Sequence, residues 1–208
     1  MRSVFILLAF ILFTSCSKKA FNAKWVQETA PEYFKAKFET TKGDFVIESY
    51  RKWSPKAVDR LYQLIKHGYY TNAIIYRVAP DYVVQWGRVD TAINQQWEKF
   101  KVPDEPVVLS NAKAVMGFAR AGKETRDHEL FINLKDNNPR LDTIVVGGIK
   151  GYPGVAKVIE GFEIVPTFFA YDAKTIMGRM DTAKNVMALI ETEFPKVDRI
   201  KKAYILKN

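Results

Sequence analysis

The stretch "IIYRVAPDYVVQWG", Ile74 to Gly87, decides the architecture. Two short runs, Ile74–Val78 and Tyr82–Gln85, flank Ala79-Pro80-Asp81, and a Pro-Asp pair between β-prone runs signals a turn. The stretch therefore predicts two paired strands. It also carries one Arg and one Gln in apolar company. Arg77 and Gln85 are either the solvent-facing members of alternating strands, or polar groups held up to something that binds there.

Upstream, "FKAKFETT" and "DFVIESY" alternate apolar and polar residues on either side of Lys42-Gly43, a hairpin signature. "SPKAVDRLYQLIKHGYY" reads as a helix, with Ser54 as cap, Pro55 at the first helical position and Gly68 after the last turn. Ala57, Leu61, Leu64 and Ile65 share one face, with Val58 beside them. Downstream, Arg88 to Asn111 reads as irregular. "AVMGFARA", "ELFINL", "GVAKVIEG" and "DRIKKAYIL" read as strands, and Thr182–Phe194 as a second amphipathic helix closed by Pro195. Short strands, two principal helices and no βαβ rhythm predict a mainly β chain: a closed antiparallel barrel with two capping helices.

The 208 residues are 48% hydrophobic and include 14 Phe, 10 Tyr and 4 Trp, enough to fill the core of one sizeable domain and to exclude a disordered chain. The N-terminus stands apart from that domain. Arg2 precedes an apolar run, Val4–Phe13, shorter than the roughly 20 residues a spanning helix needs. "FTSC" and "SKKA" follow, and this arrangement resembles a bacterial lipoprotein signal, in which Cys16 is lipidated and becomes the mature first residue. A plain secretion signal with an incidental cysteine is the alternative. Cys16 is the sole cysteine, so the fold stands without an internal disulfide. The expected organisation is a signal over 1–15, a tether over 16–32 and a folded domain over 33–208. The expected location is the cell envelope, lipid-anchored to a bacterial membrane and facing the periplasm.

The net charge of +9 is spread over scattered Lys and Arg without a nucleic-acid motif, which points to a solvated surface and a partner other than nucleic acid. "GFARAGK" matches the G-x-x-x-x-G-K spacing of a phosphate loop, but Glu124 stands where Ser or Thr would hold magnesium. Two histidines, His67 and His128, give no metal-ligand spacing, and no G-x-S-x-G is present. His67, near the end of the first helix, reads as a dipole-compensating or surface residue.

Three segments in order resemble the cyclophilin family. The opening stretch is similar to the family's F-H-R-hydrophobic-x-P-G-F-x-x-Q-G-G. "MGFARAGKETRDHELFINL" is similar to the segment in which an M-A-N or M-A-R step precedes an S-Q-F-F run. "GVAKVIEGFEIV" resembles F-G-K-V-x-x-G-hydrophobic-x-V-V. The resemblance covers roughly Phe34 to Val165, most firmly Ile74 to Asn133.

The resemblance implies a peptidyl-prolyl cis/trans isomerase. Rotation about X-Pro faces a barrier of about 20 kcal/mol from amide resonance. No covalent bond breaks, so neither metal nor cofactor is required. A pocket for the proline ring and a donor to the twisted amide suffice, and a guanidinium suits that task.

By resemblance Arg77 is the donor and Gln85 positions it or the peptide. Tyr82, Val83, Phe131 and Leu141 line the proline pocket, Tyr152 lies at its rim, and Ala119 and Arg120 border a groove for extended peptide. Glu129 stands where the family has a peptide-contacting Gln, close enough to Arg77 to compete with substrate for it or to hold it. His128, Leu130 and Trp86 also depart from the pattern, and Trp86, where the family has Gly, implies a remodelled strand exit. The implied partners are proline-containing segments of unfolded or extended polypeptides, with the chain acting as a monomer. The alternative is a cyclophilin-like module that binds such segments with little turnover, or a scaffold whose groove is sealed by Glu129.

Overall fold

The computed structural model describes residues 21–207. The expected hairpin is β1 (Tyr33–Thr40) and β2 (Gly43–Tyr50), paired in unbroken register from Tyr33↔Tyr50 to Thr40↔Gly43. Helix α1 (Pro55–Lys66) follows, then β3 (Ala73–Ala79) and β4 (Val83–Arg88) on the opening stretch, with Asp81 at φ 54° in the turn. Helix α2 (Thr91–Trp97) leads to β5 (Val115–Phe118), β6 (Leu130–Asn133), the short helix α3 (Arg140–Thr143), and a two-stranded ribbon of β7 (Val145–Val146) and β8 (Ile149–Lys150). Strand β9 (Gly154–Glu160), helices α4 (Ala173–Thr182) and α5 (Val186–Glu193) and strand β10 (Arg199–Ile205) complete the order. Eight strands close into the expected antiparallel barrel, in the order β1-β10-β3-β4-β6-β5-β9-β2.

The barrel interior is aromatic. Phe38 and Phe45 stack at 4.8 Å, and Trp86 meets both edge-on at 6.1 and 6.2 Å. Trp86 is thus a core residue, not part of a remodelled strand exit. Val84, Met116, Phe118, Leu130 and Ile132 complete the same packing from β4, β5 and β6.

Five further expectations need correction. Ser54 does not cap α1 itself. Its hydroxyl donates to Glu105 Oε2 at 2.5 Å, and the Glu105 carboxylate accepts the Lys56 and Ala57 amides at 2.8 and 3.0 Å. A carboxylate serves well there, since the first amides of a helix lack internal partners and carry partial positive charge.

Residues 91–97, read as irregular, form α2, whose N-terminus Asp90 caps through Ala92 N. The helix expected over Thr182–Phe194 is shorter, Val186–Glu193, because Ala183 leaves the helical region and Asn185 caps a new start by accepting from Ala188 N; a further helix, α4, unforeseen in the sequence, precedes it and ends at Thr182. The far part of the expected tether is packed: Phe21 meets Trp97 at 5.3 Å, Trp25 stacks on His67 at 4.1 Å, and Ala30 N donates to buried Asp59. His67, wedged there against Glu28 at 3.1 Å, is mostly covered rather than a surface group. The signal, Cys16 and the first part of the tether lie outside the described residues. No helix among those described is long and apolar enough to cross a membrane.

Candidate active site

The site is built on the outer face of three neighbouring strands. Residues alternate in direction along a strand, so Val84, Trp86, Leu130 and Ile132 fill the barrel while Val83, Gln85 and Phe131 point away from it. Register then sets a row: Arg77 on β3 partners Gln85 on β4, which partners Phe131 on β6. Arg77 Nη1 donates to Gln85 Oε1 at 3.3 Å, and its guanidinium lies 5.6 Å from the Tyr82 ring centroid.

Beside this row Val83, Phe131 and Leu141 form a small apolar cluster, flanked by Tyr82, Ile144 and Tyr152. Tyr152 meets the Phe131 ring edge-on at 6.1 Å, and Arg120 lies 4.6 Å over the Tyr152 ring while donating to Ile149 O. The result is a cleft of about 140 Å³ lined by Arg77, Tyr82, Val83, Gln85, Ala119, Arg120, Phe131, Leu141 and Tyr152. Every residue the resemblance assigned to the donor, the proline pocket or the peptide groove lines it, and Glu129 does not.

Glu129 is displaced by the strand repeat. It lies two residues before Phe131, about 7 Å along the strand, beside the Arg88 end of β4 rather than the Arg77 side. Its carboxylate accepts from Arg88 Nε at 2.8 Å and from Tyr76 Oη at 2.9 Å, and Arg88 also pairs with Asp181 of α4 at 2.5 Å. Burial would lower the Arg88 pKa, but Glu129 and Asp181 outweigh it and raise the value. Neither pairing with Arg77 nor sealing of its cleft occurs. Glu129 borders an adjoining cavity instead, together with Gln85, Ala119, Arg120, Asp127 and buried His128.

The supports behind the cleft escaped the sequence reading. Gly117 lies opposite Phe131, and a Cβ there would stand 2.8 Å from Phe131 Cζ and 3.1 Å from Pro153 O. Only glycine lets the ring lie flat across β5. A buried polar chain holds the loops. Asn137 Nδ2 donates to Tyr82 O and to Asn133 Oδ1, Asn133 Nδ2 donates to Asn111 Oδ1, and Asn111 Nδ2 donates to Tyr152 O and Asp142 Oδ1. Asp142 also accepts from Ser110 Oγ at 2.5 Å. Burial would raise its carboxyl, but these donors prevail and hold it below the usual carboxylate range. The outlying Asn residues carry no periodic signal, so only their shared target, the Tyr82–Tyr152 wall, reveals them.

The chain belongs to the cyclophilin-type peptidyl-prolyl cis-trans isomerases: the family profile "Cyclophilin type peptidyl-prolyl cis-trans isomerase/CLD" matches residues 35–194. It is 30% identical over 127 residues to peptidyl-prolyl cis-trans isomerase-like 1 of Gibberella zeae, covering 57% of this chain and 76% of that protein. It is 23% identical over 169 residues to a peptidyl-prolyl cis-trans isomerase of Acinetobacter baylyi, covering 78% and 86%. The fold matches a cyclophilin type peptidyl-prolyl cis-trans isomerase of Cryptosporidium parvum with a TM-score of 0.58 at 18% identity, covering 85% of this chain and 99% of that one. A second structure of that protein, solved in the presence of the dipeptide Ala-Pro, gives 0.57 at 19% identity, covering 84% and 99%.

Proposed function

We propose that this cleft isomerises X-Pro bonds in unfolded or extended segments, with Arg77 as donor and Gln85 as the group that positions it. The carrying observation is the registered row Arg77–Gln85–Phe131 laid against the Val83–Leu141 cluster. The proline ring packs on Phe131 between Val83 and Leu141, with Tyr82 and Tyr152 as walls. As the amide twists, its nitrogen loses resonance and gains a lone pair, and the Arg77 guanidinium donates to it or to the adjacent carbonyl. That bond is stronger in the twisted state than in either planar one, so both directions accelerate. No step calls for a cofactor. Engagement of Glu129 by Arg88 and Tyr76 leaves Arg77 without an acidic competitor, which favours turnover over mere binding. The Ala-Pro used with the Cryptosporidium protein is a ligand of the same chemistry.

The reading includes a setting. The signal-like segment ending at Cys16 places the domain on a membrane through acyl chains, in the envelope of a bacterium and facing the periplasm, as a monomer serving exported proteins. Cys16→Ser then releases the chain from membranes; a variant that still sediments with them refutes the anchor. The activity itself is tested by cis/trans exchange on a proline tetrapeptide, followed by NMR. Exchange that vanishes in Arg77→Ala supports the reading, and peptide binding without exchange replaces it with a recognition module.

A further inference from the structure

The cleft is apolar at its floor and cationic at its rim, and we infer that it selects proline segments carrying a carboxylate next to the proline. This rests on the isomerase reading of the same cleft and adds its substrate class. Arg77 and Arg120 are among the lining residues, and no acid is. A third guanidinium, Arg140 at the start of α3, lies 5.2 Å from the Tyr82 centroid, the ring that Arg77 approaches to 5.6 Å.

Among the described residues neither Arg77 nor Arg140 has a carboxylate at ion-pair distance, and the polar partner of Arg77 is the neutral Gln85. Arg120 has Asp104 behind it at 3.9 Å, yet its buried Nε and Nη1 find no hydrogen-bond partner. The nearby acids are occupied elsewhere: Asp142 by Ser110 and Asn111, Glu129 by Arg88 and Tyr76. That leaves Asp81, exposed in the β3–β4 turn, against Arg77 and Arg140, while Arg120 shares Asp104 with Arg126. The adjoining cavity differs, since Arg88–Glu129 and Lys101–Asp127 balance there sign by sign.

Cations set against low-dielectric aromatic walls focus their field into the cleft between them. In an extended peptide the residue next to proline sits one Cα step away, about 3.8 Å, within reach of this rim. A guanidinium fork also matches carboxylate geometry, whereas a peptide ammonium meets repulsion.

The test uses the full chain and three blocked peptides, Ala-Glu-Pro-Phe, Ala-Gln-Pro-Phe and Ala-Lys-Pro-Phe, with NMR exchange giving kcat/KM for each. The expected order is Glu over Gln over Lys, with a Glu-to-Lys ratio of about tenfold at low salt that shrinks severalfold in about 0.5 M NaCl. Arg140→Gln lowers the ratio further. Exchange of all three peptides within twofold overturns the inference and leaves the isomerase reading standing. Exchange of none overturns the isomerase reading, and shift titration then decides the inference: tighter binding of the Glu peptide upholds it, equal dissociation constants refute it.

Discussion

Gln85 Oε1 accepts from Arg77 Nη1 at 3.3 Å, across a ladder in which the two residues are direct partners. The bond is long enough to be weak, so it orients the guanidinium without consuming it. Of the five guanidinium donors, those not facing Gln85 remain for substrate. Arg77→Ala should lower kcat/KM by about 10²–10³, the usual scale for losing one transition-state donor. Arg77→Lys should recover little, because a point charge lacks the planar fork. NMR exchange alongside thermal melts checks this. A collapsed melt in Arg77→Ala would make the residue structural.

Gly117→Ala should damage the site from behind. The new Cβ meets Phe131 and Pro153 O at once, so the ring must lift or β9 must shift. Overpacking of this kind costs about 1–3 kcal/mol, and activity should fall more than stability alone explains. Urea unfolding and exchange kinetics on the same sample separate the two effects.

Glu105→Ala should destabilise the fold by about 1–2 kcal/mol, the scale of a lost N-cap. It strips two helix amides and the Ser54 hydroxyl of their acceptor together. It also leaves buried Arg126 without one of its two acidic neighbours. Denaturant midpoints measure the cost, and wild-type stability in the variant would refute the capping role.

Asp142 gives the cleft an acid limit. Its folded pKa lies below the unfolded value of about 3.9. Between the two values the unfolded chain binds more protons, so stability rises with pH there. The contribution is complete above the unfolded pKa and is lost as pH falls through the folded one. Asp142→Asn should therefore flatten the fall in urea midpoint as pH drops below the unfolded value of about 3.9. Asp127 retains a slope of its own, since donors from His128 and Lys101 outweigh its burial and depress it too.

The barrel was legible because the first hairpin alternates and the later strands are short apolar runs, and α1 because its apolar face repeats every turn. What escaped was non-local. The α1 cap sits 51 residues away on Glu105, so no window around Ser54 contains it. Trp25 and His67 find each other only when the chain folds back. Asn185 was readable in principle as a cap, yet the helical pattern was read as starting at Thr182, three residues before it. At the site, the resemblance grouped Arg77, Gln85 and Phe131, and the strand register sets the three in one row. Glu129 shares their outward direction, and only the register of β6 against β4 shows that it faces Arg88 instead.

The barrel is a hoop, and a hoop is as sound as its thinnest joint. Between β3 and β10 that joint has two registered pairs, Ile74↔Arg199 and Ala73↔Ile200. Across it lie α4 and α5, whose Ile176, Met180 and Ile190 pack on Ile74 and Tyr76 from outside and run through Phe194 and Val197 into β10. The helical pair thus works as a splint: it clamps the strand that carries Arg77 at the point where the wall would part first, and the aim of the guanidinium depends on helices that never touch it.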